Sequence, residues 1–286
     1  VTVLEVIHRS TEFLARKGVD SPRLQSELLL AHVLGLRRLD LYLKFDRVLS
    51  EAELESIRAL IKRRGEREPL QHILGTACFC GLDFKVNRHV LVPRPETEIL
   101  AERALTFLIA QKGAPANILD FGTGSGCLAV YLAVKAPTAN VTAIDASAAA
   151  LEVARVNAAT HGVANRLEFV CGDGFAALPA GARFDLIVTN PPYIPSGDIA
   201  ALQPEVRDFD PRPALDGGPD GLDFYRRLAR EGRVFLRPGG KLMAEFGDGQ
   251  APPIRALFEE QGWRVEAIEN DLAGKPRVLV AAGPTP

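Results

Sequence analysis

Two periodicities divide the chain. Through the first 75 residues apolar positions recur at helical spacing, and no alternating run appears. Thr2 with Glu5, and Ser50 with Glu53, have capping-box spacing at the starts of "VLEVIHRSTEFLARKG" and "EAELESIRALIKRRG". Ser21-Pro22 sets an N-cap residue before a proline at the first helical position, ahead of "RLQSELLLAHVLGL". Three or four short helices are predicted. Residues 76–92, "TACFCGLDFKVNRHVLV", alternate weakly around Gly81 and Asn87, which predicts a β-hairpin linker. "PRPETEILAERALTFLIAQ" then starts a helix after two prolines.

From residue 116 short apolar runs alternate with helical ones. "NILDF", "VTAID", "RLEFVCG", "DLIVTN" and "GKLMAEF" predict strands. "GCLAVYLAVKA", "SAAALEVARVNAATHG", the region of "GLDFYRRLAREGRVFL" and "APPIRALFEEQG" predict helices. The pattern implies an α/β fold, a mostly parallel sheet with helices on both faces. "WRVEAIEN" and "PRVLVAAG" have no helix between them, so they predict an antiparallel hairpin at the sheet edge. The organisation expected is a small all-α domain over 1–75, the linker over 76–92, and the sheet domain over 93–286.

Composition narrows the class. The chain has 286 residues, a formal charge of −2 and 47% hydrophobic residues, ordinary for a soluble globular protein. No apolar run reaches membrane-spanning length. "VTVLEVIHRS" carries charges and no signal-peptide core, so a cytoplasmic protein is expected. The near-neutral charge gives no argument for a polyanionic partner. Cys78, Cys80, Cys127 and Cys171 lack metal or redox spacing, and the five histidines form no ligand pair. No metal is expected, and the cysteines read as small buried hydrophobes, with Cys78 and Cys80 on one strand face. The basic cluster Lys62, Arg63, Arg64 and Arg67 reads as a helix C-terminus complementing its dipole rather than as a nucleic-acid patch.

Candidate chemistry gathers at strand ends. "DFGTGSG" lies between a strand and a helix, where glycines admit a ligand to the backbone and the helix start offers free N–H groups. Its Gly-x-Gly-x-Gly spacing is neither the dinucleotide fingerprint nor a P-loop. Asp145 ends the next strand, where an acid can accept both ribose hydroxyls. Asp173, in "GDGF", ends the third and could meet an adenine amino group. The set suits an adenosine, with NAD as the competing ligand.

The fourth strand separates these readings. "FDLIVTNPPYIPS" runs from an apolar strand into Asn190, Pro191, Pro192 and Tyr193. Two prolines cannot join a ladder, so the strand must stop near Asn190. "DFGTGSG", Asp145, Asp173 and "NPPY" together resemble the S-adenosylmethionine-dependent methyltransferases that alkylate planar nitrogens. The Asn190 side-chain carbonyl and the Pro191 backbone carbonyl can each accept one N–H of a target –NH2. That aims the nitrogen and stabilises the charge growing on it. Tyr193 offers a flat face to a planar group. No strong base is required, because the alkylated nitrogen becomes acidic and releases its proton late.

"PLQHILG", "FCGLDFKV", "LVPRPETE", "ILDFGTGSGCLAVYLA", "FDLIVTNPPYI", "DPRPALDGGPDGLDFYRRL" and "DLAGKPRVLV" resemble the HemK/PrmC family, the release-factor glutamine N5-methyltransferases. The resemblance runs from about Pro69 to Val280. It implies a seven-stranded Rossmann-like methyltransferase sheet, S-adenosylmethionine as cofactor and S-adenosylhomocysteine as product. It implies methylation of the glutamine amide in the Gly-Gly-Gln loop of class-1 peptide chain release factors, with the helical domain as docking surface. No stable nucleic-acid partner and no membrane are implied. Gly122, Thr123, Gly124, Ser125, Gly126, Asp145, Asp173 and Gly174 would contact the cofactor. Asn190, Pro191, Pro192 and Tyr193 would hold the glutamine, with Asn190 also near the cofactor. Two positions depart from the family pattern. Phe121 stands where Leu is more usual. Gly174 stands where some members carry a bulky aromatic against the adenine, a wall that Phe175 would have to supply. The alternative function is an N6-adenine nucleic-acid methyltransferase using the same hook on an extruded base. Against it, residues 196–223 hold seven acids against Arg207 and Arg212, a rim that would repel phosphates.

Overall fold

In a computed structural model, residues 1–283 are described. They form two compact units: Val1–Thr76 together with Gln203–Phe209, and Ala77–Leu202 together with the chain from Asp210 onward. The first is helical, with α1 (Val3–Arg16), α2 (Pro22–Leu34), α3 (Glu51–Gly65) and α4 (Leu70–Leu74). Both expected capping boxes form, at Thr2/Glu5 and at Ser50/Glu53. Ser21 makes no capping bond; its backbone is left-handed (φ 47°), and only Pro22 marks that helix start. Val3, Leu14, Leu29, Leu30, Leu41 and Ile57 are buried in the unit's core.

Segment 203–209 joins this unit although the sequence reading ran the sheet domain unbroken to its end. Glu205 anchors it. Its carboxylate accepts from Arg64 Nη2 at 2.7 Å and from Arg67 Nε and Nη2 at 2.7 and 2.6 Å. Arg64 is only 4% exposed and also gives Nε to Gln25 Oε1. Arg64 and Arg67 are therefore more than a dipole complement at the end of α3. They are ion-pair partners, Arg64 buried and Arg67 half-buried, of an acid about 140 residues away.

The second unit opens with the hairpin β1 (Thr76–Phe79) and β2 (Leu82–Lys85), then α5 (Thr97–Ala110). It continues through β3 (Ala116–Phe121), α6 (Cys127–Lys135), β4 (Ala139–Asp145), α7 (Ala148–Thr160), β5 (Leu167–Cys171) and β6 (Phe184–Thr189). After the helix Asp223–Glu231 come β7 (Leu236–Glu245), the helix Ala251–Glu260, β8 (Arg264–Asn270) and β9 (Pro276–Ala282). The seven-stranded sheet has the order β5-β4-β3-β6-β7-β9-β8. Its first five strands run parallel, and β9 is antiparallel to both neighbours. The expected terminal hairpin is present, with β9 inserted between β7 and β8.

Successive residues of a strand face opposite sides, so each central strand feeds two cores. Ile118, Val141, Leu186, Val188 and Met243 pack with residues of α5, α6 and α7. Leu119, Ile144, Ile187 and Leu242 pack with Tyr225, Leu228, Ile254 and Phe258 of the later helices. The cysteines correct the sequence reading. Cys80 occupies the hairpin turn (φ 48°), Cys78 and Cys171 are exposed, and Cys80 and Cys127 are half-buried. Burial pushes the Cys80 and Cys127 thiols up to about 12. Among the described residues no His/Cys/Asp/Glu group could hold a metal ion, and no helix is long and apolar enough to cross a membrane.

Candidate active site

The strand order doubles back between β3 and β6. Connections leave β3 for β4 and β5 on one side and return to β6 on the other, which opens a crevice at the strands' carboxyl ends. A cavity of about 310 Å³ lies there. Gly122, Thr123, Gly124, Ser125, Asp145, Asp173, Gly174, Asn190 and Pro192 all line it. More of its wall comes from residues the sequence reading did not place at the site, among them His89, Val90 and Leu91 of the linker, Pro93, Arg94, Pro211, Pro213 and Phe224. A wider hollow of about 510 Å³ at the amino ends of the strands, around Asn117, Asn140 and Arg183, contains none of the predicted groups.

The turn after β3 is built on backbone pairing. Gly122 N and Thr123 N both donate to Ile144 O at 2.9 Å. Gly124 N donates to Asp145 Oδ2 at 2.9 Å, and Ser147 N to Asp145 Oδ1 at 2.8 Å. Asp145 thus ties the glycine turn to the start of α7 while still facing the cavity. Gly122 and Gly124 have positive φ and open space where a Cβ would stand, so bare backbone faces the crevice. Gly126 does not line the cavity. A Cβ there would stand 3.0 Å from Ala154 Cβ, so this glycine lets α6 and α7 approach. Beneath the turn, Asp120 is buried, and its Oδ2 accepts from Thr123 Oγ1 at 2.7 Å and Ala129 N at 3.1 Å. Burial raises its pKa to about 7, and Oδ1 has no partner among the described residues. The sequence reading quoted Asp120 without assigning it a role.

Asp173 departs from its expected role. Its side chain is 84% exposed, and its carboxylate pairs with Arg227 Nη1 rather than turning inward. The adenine wall expected of Phe175 is also absent. Phe175 is 3% exposed and packs between the rings of Phe121 and Phe235 at 4.9 and 4.8 Å.

The hook after β6 is held from three sides. Thr189 Oγ1 donates to Phe121 O at 2.7 Å, fixing the strand exit against β3. Ile194 N donates to Leu215 O, and Gly217 N returns to Ile194 O. A Cβ on Gly217 would lie 2.8 Å from Tyr193 Cα and 2.9 Å from Pro192 O. The "DGGPDG" run is therefore glycine-rich because it packs against the hook's backbone. Asn190 Nδ2 donates to Thr97 Oγ1 at 2.9 Å. The Thr97 hydroxyl in turn hydrogen-bonds the Glu245 carboxyl, which is 1% exposed and whose pKa burial raises to about 7. Thr97 is buried, and neither Thr97 nor Glu245 was read as a site residue; only the "PRPETE" motif around Thr97 signalled it. Pro191 is buried and outside the cavity lining. Tyr193 also lies outside it. Its hydroxyl hydrogen-bonds Glu245, its ring lies beside Gly247, and burial raises its pKa. Tyr193 supports the network beneath Asn190 instead of presenting a flat face.

The acids after the hook are largely paired. Asp210 meets Arg94 at 2.6 Å, Asp216 receives Ser196 and Arg212, and Asp220 and Asp223 receive Arg226. With Glu205 on Arg64 and Arg67, most of the counted negative charge is locally balanced. A repulsive rim cannot be read from the acid count.

Comparison with known proteins decides the family. Residues 5–75 match the PrmC N-terminal domain, and residues 100–202 match the methyltransferase small domain. The chain is 48% identical over 280 residues to the release factor glutamine methyltransferase of Geobacter sulfurreducens, covering 97% of this chain and 95% of that protein. The chain belongs to the release factor glutamine methyltransferase family. The Chlorobaculum tepidum member is 47% identical, covering 94% of this chain and 93% of its own. Among solved structures, a methyltransferase from Pyrococcus furiosus superposes with a TM-score of 0.52 at 22% identity, over 71% of this chain and 89% of that one. A SAM-dependent methyltransferase from Agrobacterium tumefaciens gives 0.51 at 18% identity, over 73% and 70%. These two establish the shared fold. The enzyme's sheet is thus that of a methyltransferase.

Proposed function

We propose that the enzyme methylates the side-chain amide nitrogen of the glutamine in the Gly-Gly-Gln loop of class-1 peptide chain release factors. S-adenosylmethionine supplies the electrophilic methyl and leaves as S-adenosylhomocysteine. The cavity suits it: the bare backbone of Gly122 and Gly124 forms a cradle, and Asp145 stands at its rim. Gly122 to Ser125, Asp145 and Gly174 would hold the cofactor.

The observation that carries the reading is the polarity of the chain Glu245–Thr97–Asn190. Asn190 Nδ2 donates to Thr97 Oγ1 at 2.9 Å, and the Thr97 hydroxyl hydrogen-bonds the Glu245 carboxyl behind it. Asn190 Oδ1 is left as an acceptor at the cavity, and among the described residues it takes no hydrogen bond. It suits an N–H bond of a planar nitrogen, and this acceptor strengthens as positive charge grows on that nitrogen, so it stabilises the transition state more than the ground state. The helical unit takes the docking role, and a translation-termination substrate puts the work in the cytoplasm.

Peptide mass spectrometry tests the reading. A class-1 release factor incubated with enzyme and cofactor should gain a single methyl, about 14 Da, on the loop Gln. A Gln→Glu release factor should gain none, because a carboxylate offers no N–H. Gln→Asn should be crippled, since an error near 1 Å can cost about 10² in rate. Label on Lys, Arg or an added oligonucleotide, with the Gln untouched, would refute the substrate.

A further inference from the structure

Three segments meet on one side chain outside the cavity lining. Gln250 is half-buried in the turn after β7. Its Nε2 donates to Tyr193 O at 2.9 Å and reaches Gly221 O at 3.4 Å, and its Oε1 accepts from Gly247 N at 2.9 Å. The hook, the glycine-rich run ending at Gly221 and the turn after β7 are tied together there. The amide cannot be reversed: a backbone N–H needs its oxygen on one side, and two carbonyls need its N–H groups on the other. Gln250 immediately precedes the helix Ala251–Glu260, yet its side chain caps none of that helix's N–H groups. The backbone is bare where the side chain passes. A Cβ on Gly247 would lie 2.9 Å from Gln250 Oε1 and 3.0 Å from Tyr193 Cδ2; one on Gly221 would lie 2.7 Å from Gln250 Nε2 and run into Tyr193 O.

Tyr193 is thereby held at both ends, its hydroxyl by Glu245 and its carbonyl by Gln250. Asn190 is anchored through its side chain by Thr97. Between the two anchors stand Pro191 and Pro192, whose φ angles are fixed by their rings. So short a segment has few soft torsions, and a shift of the Tyr193 peptide carries back to Asn190. We propose that Gln250 is a positioning residue for methyl transfer: by holding the Tyr193 carbonyl it sets the course of the hook and so the place of Asn190 Oδ1. This rests on the reading of Asn190 given above and goes beyond it in naming a residue, remote from substrate and cofactor, on which that acceptor depends.

The test uses the full chain: steady-state methylation of a class-1 release factor, calorimetric binding of S-adenosylhomocysteine, and thermal melts to verify folding. Gln250→Leu removes all three hydrogen bonds and should lower kcat about 10- to 100-fold, the scale of a misplacement near 1 Å, with cofactor-product affinity changed no more than about threefold. Gln250→Glu keeps the acceptor for Gly247 N. Its neutral carboxylic acid can still donate to Tyr193 O, whereas its carboxylate cannot. The rate of Gln250→Glu relative to wild type should therefore be highest near pH 6 and fall as pH rises, towards that of Gln250→Leu. Glu245 titrates in both proteins and cancels in the ratio. A side chain needed only for packing would give a ratio independent of pH. If Gln250→Leu proves unfolded, the Gln250→Glu profile decides alone. Wild-type kcat in folded Gln250→Leu, an equal loss of kcat and of S-adenosylhomocysteine affinity, or a flat Gln250→Glu ratio overturns the proposal. Failure of the wild-type protein to methylate a release factor would instead remove the reading of Asn190 on which it stands.

Discussion

Asn190 and Thr97 are 93 residues apart in the chain and share one hydrogen bond of 2.9 Å, from Asn190 Nδ2 to Thr97 Oγ1. That bond selects which end of the Asn190 amide faces the cavity. Thr97→Val should remove the acceptor, free the amide to rotate, and lower kcat about 10- to 100-fold with little change in the KM for cofactor. Thr97→Ser keeps the hydroxyl and should recover activity to within a few-fold. Equal losses in both variants would mean that Thr97 matters for packing, not for the hydrogen bond.

Asn190→Ala removes the acceptor itself and should lower kcat by roughly 10²–10³, as for loss of one positioned transition-state hydrogen bond. Asn190→Asp should also fail, because its ionised carboxylate has no donor for Thr97. Steady-state methylation of a release factor decides; near wild-type rates would reduce the hook to a strand exit.

Asp145 accepts from Gly124 N and Ser147 N, so its removal should act twice. Asp145→Ala should weaken S-adenosylhomocysteine binding and also lower the melting temperature, since two backbone donors lose a charged acceptor worth about 1.5–3 kcal/mol each. Asp145→Asn should retain part of both. Calorimetry that found affinity unchanged would take Asp145 out of the site.

Glu205→Ala should destabilise the helical unit by about 2–4 kcal/mol, because Arg64 stays buried without its counter-charge. Chemical denaturation would measure it. Adding Arg64→Met should recover much of the loss; a double variant as unstable as the single would mean that the pair is not the cause.

Three buried carboxyls set a pH dependence. Burial raises Asp120 and Glu245 to about 7 and Asp210 to about 6. Each is held protonated in the folded state above the pH at which the unfolded chain releases its proton. Their stabilising contribution is complete below about pH 4 and declines as pH rises towards 7, by on the order of a few kcal/mol together. Carboxylates shifted down act in the opposite sense at lower pH. Glu205, raised by burial but lowered further by Arg67 and Arg64, loses its contribution as pH falls through its folded pKa. Melting temperatures between pH 5 and 8 should therefore fall with pH, and Glu245→Gln should flatten the slope. A slope unchanged by Glu245→Gln would assign the decline to other groups.

What the sequence made legible was local. Capping boxes at Thr2/Glu5 and Ser50/Glu53 depend on residues three apart, and both form. The prolines at 191 and 192 end β6 at Thr189, as a missing donor requires. The crevice followed from alternation, since parallel strands place their carboxyl ends together. Long-range pairings were invisible. Nothing near Arg64 points to Glu205, nothing near Asn190 points to Thr97, and nothing in the last two strands says that β9 inserts beside β7. Tyr193 was misjudged for the same reason: its partner Glu245 lies 52 residues on and is buried among apolar neighbours. Gly174 read as a missing wall because the Phe121 ring that fills its space comes from another strand.

Because Gln203–Phe209 belongs with the helices of Val1–Thr76, the chain crosses the boundary between its units at three places and not one. A helical module appended at one end of an ancestral gene would have crossed it once. Exchange of the first 76 codons between relatives would bring in a new Arg64 and Arg67 but leave the old Glu205 behind. Viable chimaeras should therefore be those that transplant the seven-residue insert along with the leading helices, so the unit of inheritance is two separate stretches of the gene.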